Sequence, residues 1–431
     1  MTTKTTKLAK DKTKKKNWWQ TLGPGLITGA SDNDPSGIAT YSQAGAQFGF
    51  GLLWTMLFSY PLMSSIQDIS AEIGRVTGYG IAGNLRRYYP QWLTYGITGL
   101  MVIANTINLG ADIGAMGSAL KLLNGGSALF YASMFAIISL VLEITIPYHK
   151  YASILKWLTL VLFAYVATVL VIHVPWGDAL RATVIPSLSL QSDYLTTLVA
   201  ILGTTISPYL FFWQASQEVE ETEITPSEQP LKKAPKQAPE QLKRIRFDTY
   251  TGMGFSNIIA FFIILTAAVT LHTQGKTDIQ TASEAAEALR PIAGNFAFFL
   301  FSVGIIGTGL LAVPVLAGSA AYGLGEALKW PTGLERKPLE AKGFYVILAI
   351  STLIGLGMNF FTSIDPVKAL FWSAVINGVV APPVMLVMML MSTNPKVMGK
   401  FTISKYLKIG GWLATSVMFV AAAGLFLTWK S

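Results

Sequence analysis

The sequence predicts an all-α protein that crosses a membrane many times, arranged as two inverted five-helix repeats with an eleventh helix added. Three observations carry this prediction. Of 431 residues, 52% are hydrophobic and 13% charged, with a mean hydropathy of +0.48. Apolar runs of about 20 residues, long enough to span a bilayer as helices, recur along the chain. Two of those runs are interrupted by a proline among polar residues, at Asp34-Pro35 and at Ser207-Pro208, in matching places of the two halves.

Residues 1–17 carry seven lysines and read as a basic cytoplasmic tail without a signal-peptide pattern. Residues 18–431 form the transmembrane part. Spans are expected at about 22–45, 50–75, 92–121, 127–146 and 152–174 in the first repeat, about 20–175 as a whole. The second repeat, about 193–392, holds spans at about 194–216, 250–271, 295–327, 343–362 and 367–392, and the extra helix follows at about 410–429. Between spans 6 and 7, residues 218–246 are rich in Pro, Lys, Glu and Gln and read as a flexible cytoplasmic loop too polar to bury.

Orientation follows from charge. With the N-terminus in the cytoplasm, 26 of the 32 Lys and Arg fall on inside segments and 6 outside, the bias expected of a multi-pass protein of the cell membrane. One miscounted span would swap the later loops and erase it. The net charge of +9 is therefore assigned to membrane orientation and not to nucleic acid. Five spans per repeat is an odd number, so the second copy enters the membrane inverted and its break meets the first near the midplane.

The site is expected at those breaks. An ionised carboxylate at bilayer depth costs several kcal/mol, and a proline removes a helical hydrogen bond, so Gly29-Ala30-Ser31-Asp32-Asn33-Asp34-Pro35-Ser36-Gly37 has to face protein or water. Asp34 is the first candidate ligand for a cation. Asp32 and Asn33 point elsewhere and either line the pathway or cap a half-helix. Thr204 and Ser207, with carbonyls freed around Pro208, offer hard oxygen donors suited to Mg²⁺, Mn²⁺ or Ca²⁺. Asp112 on span 3 is a relay or helix-pairing acid, and Asp68 with Glu72 on span 2 lies toward the cytoplasmic mouth. The three histidines fall in loops or at a helix end, and the chain has no cysteine, which excludes disulfides and thiolate metal sites. No catalytic triad, zinc-hydrolase motif or nucleotide-binding loop is present, so no enzyme and no cofactor is expected; a metal here is cargo.

These residues resemble the Nramp family of divalent-metal transporters along nearly the whole chain. The likeness runs from Gly23-Pro24-Gly25-Leu26 through Asp34-Pro35 and Gln43-Ala44-Gly45-Ala46-Gln47-Phe48-Gly49 to the helix 8 run from Gly309 to Ser319. It implies a LeuT-type fold, alternating access and a metal site between spans 1 and 6. Members that carry manganese and iron have Asp-Pro-Gly-Asn and Met-Pro-His at the breaks. Here Asp34 stays, Gly37 replaces the asparagine and opens space, Ser207 replaces the methionine, and Tyr209 replaces the histidine. Losing the soft sulfur removes the preference for transition metals. Asn108 and Ala111 stand where the span 3 acids are placed, Asp112 is displaced by one residue, and span 9 has no arginine. The pattern resembles the Nramp-related magnesium branch and implies uptake of Mg²⁺, and of Mn²⁺, without proton coupling. A proton-coupled Mn²⁺/Fe²⁺ symporter is the alternative, and an amino-acid carrier of the same fold a weaker one. The sequence specifies no oligomeric state.

Overall fold

A computed structural model describes residues 24–146, 150, 157–361 and 365–428. The basic tail at 1–17 and the link containing His149 lie outside the described residues. The bundle is built from α1 (Pro24–Asp32), α2 (Pro35–Phe48), α3 (Trp54–Thr77), α4 (Ile81–Tyr88), α5 (Gln91–Asn124), α6 (Ala128–Thr145) and α7 (Phe163–Val171). It continues with α8 (Ser192–Thr205), α9 (Pro208–Ile224), α10 (Ala238–Thr270), α11 (Ala297–Leu328), α12 (Lys342–Phe361), α13 (Pro366–Ser392) and α14 (Lys405–Thr428). Short helices, among them Trp176–Val184 and Ala282–Ala286, fill connections. Among the described residues there is no strand.

Among the described residues, eight helical stretches are long and apolar enough to cross a membrane, against eleven expected spans. The other three fall short for separate reasons. Span 1 is divided into pieces of 9 and 14 residues by its break. Span 2, α3, has 24 residues but carries Asp68, Glu72 and Arg75, all buried, so its mean hydropathy drops although protein, not lipid, receives those charges. Of span 5, the described residues hold an apolar helix over Leu160–Val171.

Both interruptions fall where proline dictates. Pro35 and Pro208 each occupy the first turn of the second half-helix, α2 and α9, where a missing N–H costs nothing. The half-helices α1 and α2 pack on α10, and α8 packs on α13. Glycine makes the first of these contacts close: a methyl group on Gly29 would overlap the Gly252 carbonyl of α10, the small-residue approach typical of membrane helices.

The segment 218–246 corrects the expectation of a flexible loop. It is helical to Ile224 and again from Ala238, with a partly exposed, turn-rich stretch between, and several of its charged groups are paired across the bundle. Arg244 pairs with the buried Glu218, Glu228 pairs with the buried Arg75, and Leu231, fully buried, donates its N–H to Arg75 O at 3.1 Å. Charged residues are buried when each finds its partner, and composition alone does not show that pairing.

Candidate functional site

The two breaks meet. Asp34 is the N-cap of α2, and its Oδ1 accepts from Ser36 Oγ and from Gly37 N, both at 2.7 Å, which satisfies an orphan donor at the start of that helix. Its Oδ2 accepts from Asn108 Nδ2 on α5 at 3.0 Å and from the Tyr209 hydroxyl on α9 at 3.4 Å. That same hydroxyl reaches Ser31 O, at the end of α1, at 3.2 Å. Tyr209 thus joins the break of one half to the first turn after the break of the other. Asp34 is 1% exposed; among the described residues no Lys, Arg or His forms an ion pair with it. All four of its donors are neutral.

Such a carboxylate is well held but uncompensated. Neutral donors stabilise the anion, yet its charge remains in a low-dielectric interior that rewards the approach of a cation. Among the described residues no three His, Cys, Asp or Glu side chains converge as a metal cage. A cation at Asp34 would therefore be held by one carboxylate with hydroxyl, amide and carbonyl oxygens and water, a donor set that suits hard divalent ions.

The remaining candidates divide. Thr204 and Gly37 face each other where α8 meets α2: a β-carbon on Gly37 would lie 3.2 Å from Thr204 Oγ1 and 3.2 Å from Asp32 O. The space expected over Gly37 is thus filled, because the missing side chain lets α8 seat against α2. Ser207 turns its hydroxyl inward and donates to Gly203 O at 2.7 Å and Thr204 O at 2.8 Å, which stabilises the end of α8 and leaves the oxygen's lone pairs available. Asp32 and Asn33 address α10, not α9: Asp32 Oδ2 accepts from the Ser256 hydroxyl, and Asn33 Nδ2 donates to Ser256 O at 3.3 Å. Asp112 is buried on α5 within electrostatic reach of Asp34 and Tyr209. Asp68 and Glu72, also buried, are paired with Arg246 at 3.5 and 3.9 Å and belong to the ionic layer around segment 218–246.

The sequence reading did not anticipate Ser373 on α13, which donates to Asn108 Oδ1 at 2.6 Å, or Asn377, one turn further on and fully buried with an unbonded amide. A serine and an asparagine in an apolar helix are the sequence signal for both. Missed as well was Asp248 on α10, whose carboxylate accepts from Gly25 N at 2.7 Å and Leu26 N at 3.1 Å and so caps α1 from a neighbouring helix. The site is closed on both sides. Beyond it, on the face away from the start of α1, a cavity of about 350 Å³ is lined by Ala39, Gln43, Gln47, Thr197, Asp193 and Asp278 among others.

Comparison with known proteins agrees with this architecture. A divalent metal cation transporter MntH of Caldanaerobacter subterraneus subsp. tengcongensis is 26% identical over 437 positions, covering 96% of this chain and 94% of its own. A crystal structure of the Eremococcus coleocola manganese transporter, in a histidine-to-alanine mutant, matches with a TM-score of 0.75 at 17% identity over 95% of this chain and 87% of its own. The crystal structure of MhsT in complex with L-phenylalanine matches at 0.58 and 12% identity over 93% and 98%. These structural likenesses establish the all-α LeuT-type fold. The family described as natural resistance-associated macrophage protein-like, Nramp, matches residues 25–428, and this chain belongs to it.

Proposed function

We propose that this protein carries divalent metal cations across the cell membrane by alternating access, with Asp34 as the central ligand. Mg²⁺ is the proposed cargo together with Mn²⁺, moving without a coupled proton, and the N-terminus is placed in the cytoplasm. One observation carries the reading: Asp34, uncompensated by any cationic side chain among the described residues, sits where both broken helices come together. The similar MntH protein is a divalent metal cation transporter by name, and the Eremococcus coleocola relative in fold a manganese transporter.

The ion preference rests on the donors. Ser207 and Tyr209 stand at the second break without sulfur or imidazole, and oxygen-only sites do not favour transition metals over Mg²⁺. Gly37, Thr204 and Ser207 are proposed to open toward Asp34 when the two halves separate, contributing carbonyl and hydroxyl oxygens. Uptake by reconstituted protein in liposomes tests the reading. Competition of Mg²⁺ against Mn²⁺ flux supports it, and flux that ignores Mg²⁺ and acidifies the lumen overturns it.

That second outcome is the other reading, proton-coupled Mn²⁺ symport. Asp112 favours it, as a second buried carboxylate near Asp34 able to receive a proton. An amino-acid carrier is disfavoured, because Asp34 would repel the carboxylate of its substrate.

A further inference from the structure

We propose that Asn108 is a switchable ligand: its amide donates to Asp34 while the site is empty and turns over to present its oxygen to the cation when the site is loaded, with Ser373 holding it both ways. This deepens the transport reading above and rests on it. A primary amide has two donors on one side and one acceptor on the other, joined to the chain through a torsion with two near-equivalent settings. As it stands, Asn108 Nδ2 donates to Asp34 Oδ2 at 3.0 Å and Oδ1 accepts from Ser373 Oγ at 2.6 Å. That setting favours the empty carboxylate. It is wrong for a loaded one, because an N–H dipole would point at the incoming cation.

A half-turn of the amide corrects this, provided that Ser373 exchanges donating for accepting. The serine hydroxyl already has an alternative acceptor, Leu370 O at 2.7 Å on its own helix. With its proton sent there, Ser373 Oγ can accept from Asn108 Nδ2 while Asn108 Oδ1 faces the ion. Each setting gives both the amide nitrogen and the amide oxygen a partner, and the cost of leaving one of them unpaired is what usually fixes a buried amide. Asn105, one turn earlier on α5, shows the contrast. Its Nδ2 is committed to both Leu316 O and Ser319 Oγ, at 3.2 and 2.6 Å, and turning it would break both bonds. The switch adds a hard oxygen donor suited to Mg²⁺, Mn²⁺ or Ca²⁺. It also makes α13, through Ser373, the helix that registers loading.

The test uses full-length protein in liposomes, with Mn²⁺ or Mg²⁺ as the probe and asparagine carrying a carbonyl isotope label. Infrared difference spectra on adding metal are expected to show a label-sensitive shift of an asparagine carbonyl in wild type that is missing in Asn108→Leu. Asn108→Leu is expected to raise the apparent KM for Mn²⁺ about tenfold, the scale of losing a group that supports a metal ligand, with kcat largely kept. Ser373→Ala should weaken the shifted band and Ser373→Thr restore it; this pair decides the matter if Asn108→Leu does not fold. A wild-type spectrum without a metal-induced asparagine shift, or one unchanged in Asn108→Leu, overturns the switch. Failure of wild type to move Mn²⁺, or flux that survives Asp34→Ala, overturns the transport reading instead.

Discussion

At the residue scale the chemistry narrows to one carboxylate and its four neutral donors. Asp34→Ala and Asp34→Asn both remove the charge that draws a cation to the breaks, and each is expected to abolish Mn²⁺ flux while the protein still reaches the membrane, measured by fluorophore quenching in liposomes. Tyr209→Phe is milder. It deletes a hydroxyl shared between Asp34 Oδ2 and Ser31 O, worth about 1 kcal/mol as a neutral hydrogen bond, so an apparent affinity change of about fivefold is expected in the same assay; no change would place Tyr209 outside the site. Asp34 was legible because an acid inside an apolar run has few explanations. Asn108 and Ser373 were not legible as a pair, since 265 residues separate them and only the register of α5 against α13 brings amide and hydroxyl together. The space expected over Gly37 is filled, because a glycine's room is occupied by whatever helix moves into it.

At the element scale the broken helices are the parts most strongly written in the sequence, since Pro35 and Pro208 each fix the start of a half-helix. What the pattern could not reveal is how α1 is held. Its N–H groups at Gly25 and Leu26 are capped by Asp248 of α10, and Gly29 lies against the Gly252 carbonyl, so α1 is fastened at its start and its middle to one neighbour. Gly29→Ala would overpack this crossing at a cost of about 1–3 kcal/mol, and is expected to lower the melting temperature in detergent by several degrees; an unchanged melting curve would show that the crossing is loose. Asp248→Asn removes a charged cap worth about 0.3–1 kcal/mol. If α1 must move for the site to open on its side, this variant should increase labelling of a cysteine introduced at Ser31 from that side, with little change in stability. Polarity misled the reading of 218–246 for a related reason: Glu218 and Arg75 look solvated one at a time, yet each is buried against a half-buried partner, Arg244 and Glu228.

At the scale of the whole molecule, transport requires the closed site to open first to one side and then to the other, carrying two charges across the field. Asp34 does not line the cavity over Ala39, Gln43 and Gln47, whereas on the other side the ion pairs Arg75–Glu228, Arg244–Glu218 and Arg246–Asp68 cross between helices. Opening on that second side breaks these ion pairs, so entry from the side of Gln43 and Gln47 asks for the smaller rearrangement. A divalent ion moving through 100 mV gains about 4.6 kcal/mol, twice the single-charge value, equivalent to a concentration ratio of about 2,000. No proton is needed for accumulation of that size. With a potassium diffusion potential imposed, inside negative, Mn²⁺ uptake is expected to rise steeply with voltage while a luminal pH dye stays constant. Symport of one proton would instead carry three charges, steepen the voltage dependence by half and acidify the lumen, and a variant such as Asp112→Asn would then abolish the acidification. Constant luminal pH in wild type together with unaltered voltage dependence in Asp112→Asn would assign the whole driving force to the ion's own charge.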